Sequence, residues 1–270
     1  MRVPRTIDSV ASTFSLSRFV EDARVVMSVA GRARQLARLP DGRTTLVIRM
    51  FDEGRRGDVC VAGPRTRALF KNVTGDARAV ILQFKPGWSA PLLGVGASAL
   101  TDRIVPLEDL WGHSGSDLCH ALLAARGLPE VLDRLSQSMA LRTRQTFEPA
   151  SARLARRAVR LLEGDEVRVE RVAARLGVTA RHLRRAFTES IGIGPKDFAR
   201  TVRLRRAVRL AETSKDWGRI AAEAGYYDQS HLIADFRELI GLTPGTFLKR
   251  AGERFGPGEA EAGFHDAAGR

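Results

Sequence analysis

From Arg43 to about Phe84 the chain runs in short apolar stretches broken by turn residues: TTLVIRMF, GDVCVAGP, ALFKNV and ARAVILQF. Stretches of this length, rich in Val, Ile and Phe, read as β-strands. Asp41-Gly42, Gly75-Asp76 and Pro86-Gly87 supply the punctuation of hairpins and strand ends, which predicts a small antiparallel barrel or sandwich. Between Pro106 and Leu141 the period changes. Leu118, Leu122 and Leu123, then Val131, Leu132, Leu135 and Met139, recur at helical spacing, predicting a helical hairpin that closes the first domain and doubles as a candidate dimer surface. Residues 142–152 (RTRQTFEPASA) are polar and contain Pro149, so the domain junction is placed there. From Arg153 to Arg250 helix follows helix, with short Gly-centred turns. The fold class is therefore α+β: residues 1–145 form a small antiparallel β-barrel with a helical hairpin, residues 150–250 an all-α domain, and 251–270 a Gly-rich tail read as disordered.

The all-α region contains an internal repeat. Val172-Ala173-Ala174 and Gly177 match Ile220-Ala221-Ala222 and Gly225 at an offset of 48. After the turn the offset becomes 49, pairing Leu183 with Leu232, Phe187 with Phe236, Gly192 with Gly241, Pro195 with Pro244 and Phe198 with Phe247, so one turn residue has been inserted. Each copy has what a helix-turn-helix needs: small alanines for close helix approach, a Gly ending the first helix, and a capping residue (Thr179, Asp228) opening the second. The segment Asp197 to Ala211 reads as one amphipathic helix joining the units. Its 15 residues give roughly 22 Å of rod. With the width of the flanking units added, that can hold two recognition helices about 34 Å apart, one turn of B-DNA.

In the second helix of each unit, Leu183 with Phe187 and Leu232 with Phe236 are i, i+4 pairs that form a buried stripe. The outward positions of the first are Arg181, His182, Arg184 and Arg185, and of the second Gln229, Ser230, His231 and Asp235. These lie near the helix N-termini, the end that a recognition helix offers to base edges. Arg can take guanine bidentately or clamp a phosphate, and Gln229 suits adenine. His182 and His231 read equally well as plain surface histidines, and Trp217 and Tyr226 as core and turn packing.

Charge supports a polyanionic partner. The chain of 270 residues carries 44 Lys plus Arg against 31 Asp plus Glu, a formal +13. The densest positive segment is 151–250, with 21 basic and 12 acidic side chains, which is the segment that holds the repeat. Cys60 and Cys119 stand apart in no CxxC or Cys/His grouping, so neither a disulfide framework nor a zinc site is indicated and a reducing compartment fits. There is no run of 18 apolar residues and no signal-like N-terminus, so a cytoplasmic, membrane-free location is expected.

The stretches VAARLGVTARHLRRAF, IGIGPKDFARTVRLRRAVRLA and IAAEAGYYDQSHLIADFRELIGLTP resemble the AraC/XylS family of bacterial regulators over about 85 residues. The resemblance implies two helix-turn-helix units joined by a long helix, binding double-stranded DNA near a promoter and contacting RNA polymerase, most often as an activator. It places base-reading positions on Arg181, Arg184 and Arg185 in the first unit and on Gln229, Ser230 and His231 in the second. The chain departs from the family at Ala234, where a basic residue is frequent, and at Asp235, which would repel phosphate; a weaker second unit is expected. RLPDGRTTLVI and FKPGWSAPLLGVGASALTDRIVPLEDLWG resemble the cupin-like sensor domain of one branch, implying a small-molecule effector or a homodimer contact. The five histidines (His113, His120, His182, His231, His265) all lie outside the predicted strands, which argues against a metal in this domain, and no cofactor is expected.

Two other functions were weighed. A charge-driven, non-specific nucleic-acid binder would show steep salt dependence without sequence preference. An enzyme fused to a DNA-binding module, such as one moving an alkyl group onto its own cysteine, needs a reactive thiol; Cys60 in DVCVAG looks buried and Cys119 sits on a helix between Leu118 and His120. No phosphate loop, nucleophile elbow or catalytic carboxylate pair stands out, so no enzymatic activity is expected.

Overall fold

A computed structural model of the chain describes residues 18–27, 34–51, 56–73, 77–145, 148–164 and 168–254. Strands β1 (Val20–Met27), β2 (Arg34–Arg38), β3 (Thr45–Phe51), β4 (Arg56–Ala62), β5 (Leu69–Val73), β6 (Ala77–Phe84) and β7 (Ile104–Pro106) make up the N-terminal β-structure. They form a five-stranded sheet of order β1-β6-β3-β4-β7 and a separate two-stranded ribbon, β2-β5, with antiparallel pairing throughout. The expected barrel is thus open: β1 and β7 are sheet edges. The predicted runs become β3, β4, β5 and β6, while Gly75-Asp76 lies outside the described residues.

The central strands are apolar on both sides because both faces are covered. Leu46, Ile48, Val59, Val61, Val80 and Leu82 share one face. Over it lie α1 (Ser89–Leu93), a 3-10 turn at Ala97–Leu100, α2 (Leu107–Trp111), and the hairpin of α3 (His113–Leu123) and α4 (Leu128–Gln145). Val47, Cys60, Ala62 and Ile81 alternate onto the other face, each no more than 4% exposed. Burial of both faces explains why these runs lack polar alternation.

The C-terminal domain begins at α5 (Ala150–Glu163), opened by Pro149, and continues through α6 (Val169–Arg175), α7 (Ala180–Ile191), α8 (Pro195–Thr213), α9 (Trp217–Ala224), α10 (Gln229–Ile240) and α11 (Pro244–Arg254). Helix α11 therefore carries the chain through Arg254, three residues past the start assigned to the tail; the remainder of the tail lies outside the described residues. Two apolar clusters divide the domain. One joins α5, α6 and α7 to the start of α8 through Ala155, Ala158, Val172, Leu183, Phe187 and Phe198. The other joins the rest of α8 to α9, α10 and α11 through Leu204, Ile220, Leu232, Phe236 and Phe247.

The second cluster also takes in Ala37 and Leu39 of the N-terminal domain, with Ala68 and Phe70 packed against it, so the β2-β5 ribbon rests on the helical domain. The Ala68 amide donates to the Leu239 carbonyl at 2.7 Å. The Thr101 hydroxyl donates to the Gly192 carbonyl at 2.7 Å. A Cβ on Gly42 would stand 2.5 Å from the Phe198 ring and 2.8 Å from Ile191, so only glycine lets the turn before β3 approach α7 and α8 so closely. Arg43 is buried between the domains. Its Nη2 donates to Glu21 at 2.8 Å and to Glu163 at 3.0 Å. Burial alone would raise the Glu21 carboxyl, but the hydrogen bond and charge of Arg43 outweigh it and hold that group below its ordinary 4.5.

Candidate nucleic-acid interface

Both helix-turn-helix units close the same way. In the first, α6 ends at Arg175 with Leu176 as its C-cap, Gly177 turns the chain with φ of 69°, and the Val178 amide returns to the Ala173 carbonyl at 3.1 Å. The Thr179 hydroxyl then accepts the His182 amide at 3.2 Å and opens α7. In the second, Gly225 turns with φ of 86° and the Tyr226 amide returns to Ala221 at 2.9 Å. The Asp228 carboxylate accepts the His231 amide at 2.7 Å and opens α10. Each cap satisfies an amide that the helix start would otherwise leave without a partner. The predicted caps, the turns and the Leu/Phe stripes are all present.

Arg181, His182, Arg184 and Arg185 are all exposed on α7, and Gln229, Ser230 and His231 are exposed on α10. Arg184 is engaged by Glu170 of α6 at 2.6 Å, both side chains remaining more than half exposed. The His231 ring stands edge-on to Tyr226 with centroids 5.3 Å apart, which restrains it. Tyr226 itself is buried, with Arg203 over its ring at 5.4 Å, and Trp217 meets Phe236 at 6.3 Å. Both aromatic residues are therefore packing elements.

Asp235 is a correction. Expected to face outward and repel phosphate, it is 4% exposed. Arg200 of α8 donates to its Oδ1 at 2.8 Å and, through the same guanidinium, to Glu238 at 2.6 Å. These hydrogen bonds, to Glu238 and then to Asp235, hold Arg200 more firmly charged than usual. Burial first, then the neighbouring Asp235 charge, pushes the Tyr226 phenol above its ordinary 10.0. Asp235 follows Leu232 by three residues and so falls on the inner stripe. Its polarity suggested solvent because Arg200, the partner that makes burial tolerable, is 35 residues away in sequence. In the sequence only the i, i+4 relation of Arg200 to Leu204 hints that it flanks a buried face. The weaker second unit cannot rest on repulsion by Asp235.

Helix α8 is more enclosed than an amphipathic rod. Phe198, Ala199, Thr201, Leu204, Ala207, Val208 and Ala211 are all buried, because the apolar clusters of both units include it. Its 19 residues span about 28 Å.

Neither cysteine offers a reactive thiol. Cys60 is 4% exposed, and burial pushes the Cys119 thiol above its ordinary 9.0. Among the described residues no group of three or more His, Cys, Asp and Glu side chains could hold a metal ion, and no helix is long and apolar enough to cross a membrane.

The C-terminal domain is thus a double helix-turn-helix, the class of fold that presents two capped helices from one rigid frame. A family model described as a helix-turn-helix domain matches residues 172–250, and one described as a domain of unknown function (DUF6597) matches residues 9–106. The chain is 38% identical over 99 residues to the HTH-type transcriptional regulator GlxA of Rhizobium meliloti (strain 1021), a match covering 34% of this chain and 31% of that relative. In this domain the chain is similar to AraC-type DNA-binding regulators. Superposition on ToxT from Vibrio cholerae O395 gives a TM-score of 0.43 at 10% identity, covering 85% of this chain and 97% of that one. An AraC-type regulator from Chromobacterium violaceum gives 0.35 at 28% identity, covering 40% and 97%.

Proposed function

We propose that the protein is a cytoplasmic, sequence-specific transcriptional activator that seats α7 and α10 in two successive major grooves of double-stranded DNA. The observation that carries this reading is the repeated geometry of two side-chain-capped helices, each anchored by a Leu/Phe stripe and each exposing its first turns. Arg181, His182, Arg184 and Arg185 read bases or phosphates in the first groove, and Gln229, Ser230 and His231 in the second. Activation through RNA polymerase is the mode implied by the family resemblance. The N-terminal domain is the sensing or pairing unit: a small molecule or a second copy that shifts the sheet acts on the helical domain through the ribbon and Arg43.

The test is selection from a random duplex pool with the full chain at near-physiological salt. Two short enriched blocks about 10 base pairs apart are expected. A single block overturns the two-groove reading. Retention of DNA without any enrichment, with affinity falling steeply in salt, favours the charge-driven binder instead. A candidate effector is then one that changes the affinity of the full chain for the selected duplex.

A further inference from the structure

The two units differ by one residue in the turn, and that residue has a role of its own. Between the turn glycine and the helix cap the first unit has only Val178, half-buried, whereas the second has Tyr226 and Tyr227. The two tyrosines have opposite environments: Tyr226 is turned inward at 5% exposure, Tyr227 outward at 93%. Tyr227 is the most exposed large hydrophobic side chain among the described residues, and no ring, ion-pair or hydrogen-bond partner within the molecule is recorded for it. Packing does not account for it.

Its surroundings do. The first seven residues of α10, Gln229 to Asp235, contain no Lys or Arg, while the matching stretch of α7 holds Arg181, Arg184 and Arg185. On α9, Arg219 is paired with Glu223 at 2.6 Å. A recognition helix needs backbone contacts to fix its register before its side chains can read bases, and where cations are missing, neutral donors including Tyr supply them. A residue one position ahead of the cap lies where the chain enters the groove, beside the sugar-phosphate wall.

We propose that Tyr227 is a positioning residue of the second unit: its phenol O–H donates to a backbone phosphate oxygen and sets the register in which Gln229 and Ser230 meet their bases. This rests on the reading of the domain as a two-groove DNA binder, so the experiment must separate the two.

Full-length wild type, Tyr227→Phe, Tyr227→Ala and Arg185→Ala are titrated against the duplex recovered by selection over a range of salt concentrations, with melting curves for each protein. Tyr227→Phe and Tyr227→Ala are both expected to weaken binding roughly tenfold. The salt slope should be unchanged, because a neutral donor releases no counterion. Melting should also be unchanged, since the side chain is almost fully exposed. Wild-type affinity in Tyr227→Ala overturns the proposal. So does a loss in Tyr227→Ala that Tyr227→Phe does not share, since that assigns the contact to the ring. If Arg185→Ala also binds like wild type, the groove-reading model of the first unit has failed rather than Tyr227 alone.

Discussion

Behind the Thr179 cap the outward row of α7 is Arg181, His182, Arg184 and Arg185; behind Asp228 the matching positions of α10 are Ser230, His231 and Ala234, all exposed, and Ile233, which is half-buried against the second cluster. At the inner position the order reverses, for α7 places Ala186 there and α10 places Asp235 on Arg200. The first unit thus carries charge outside an apolar frame, and the second carries it inside, beneath a neutral surface. On the proposed reading, one backbone geometry would serve two kinds of contact: an electrostatic, salt-sensitive grip at one end and a neutral, hydrogen-bonding readout at the other. A helix-turn-helix repeat fixes where side chains point, and leaves open how they pull.

The hardest test of this contrast is Arg200→Ala. It leaves a nearly inaccessible carboxylate without its cation and should cost about 3 kcal/mol of stability, read as a shift in denaturation midpoint. A loss below about 0.5 kcal/mol would mean that Asp235 is not held as described. Arg185→Ala should weaken DNA binding by about 1–3 kcal/mol. Relaxed preference at one base pair would identify a base reader; uniform weakening, with a salt slope smaller by about one, would identify a phosphate clamp. Gln229→Ala should relax one position of the second block and leave the slope alone, and a changed slope would contradict the neutral character of that unit. Removing either cap, Thr179→Ala or Asp228→Ala, should lower stability by about 1 kcal/mol in thermal melts. The smallest effect is expected of Glu170→Ala. Its exposed pair with Arg184 contributes under about 1 kcal/mol to folding, so melting should barely move while the freed Arg184 binds DNA a few-fold more tightly. Weaker binding would show that Glu170 positions Arg184 instead of competing for it.

Most of this site was readable from the chain because its signals are local. A cap, a turn glycine and an i, i+4 apolar pair each lie within one or two helical turns, and the offset of 48 stepping to 49 locates the inserted turn residue. What escaped depends on distant partners. Asp235 is buried only because Arg200 is there to meet it. Strand β1 (VEDARVVM) hides its strand character behind Glu21, Asp22 and Arg24, of which Glu21 is turned toward Arg43. The short β7 pairs along only three residues, too few to show a period. The resting of the β2-β5 ribbon on the helical domain has no local sign at all, since Ala37 and Phe70 look like ordinary sheet residues until the helices meet them.

The anchoring of Gly192 by Thr101 and of Leu239 by Ala68 places the far end of each reading helix on the same N-terminal mount. Two heads bolted to one plate have a fixed phase. Adding a single base pair between their half-sites moves the second by about 3.4 Å and turns it by roughly 34° around the duplex axis. The intact protein should therefore tolerate a change in spacer length poorly, and a Thr101→Ala, Ala68→Pro double variant, which frees both mounts, should tolerate it better. Binding to duplexes with spacers one base pair longer and shorter would measure how stiff that mount is.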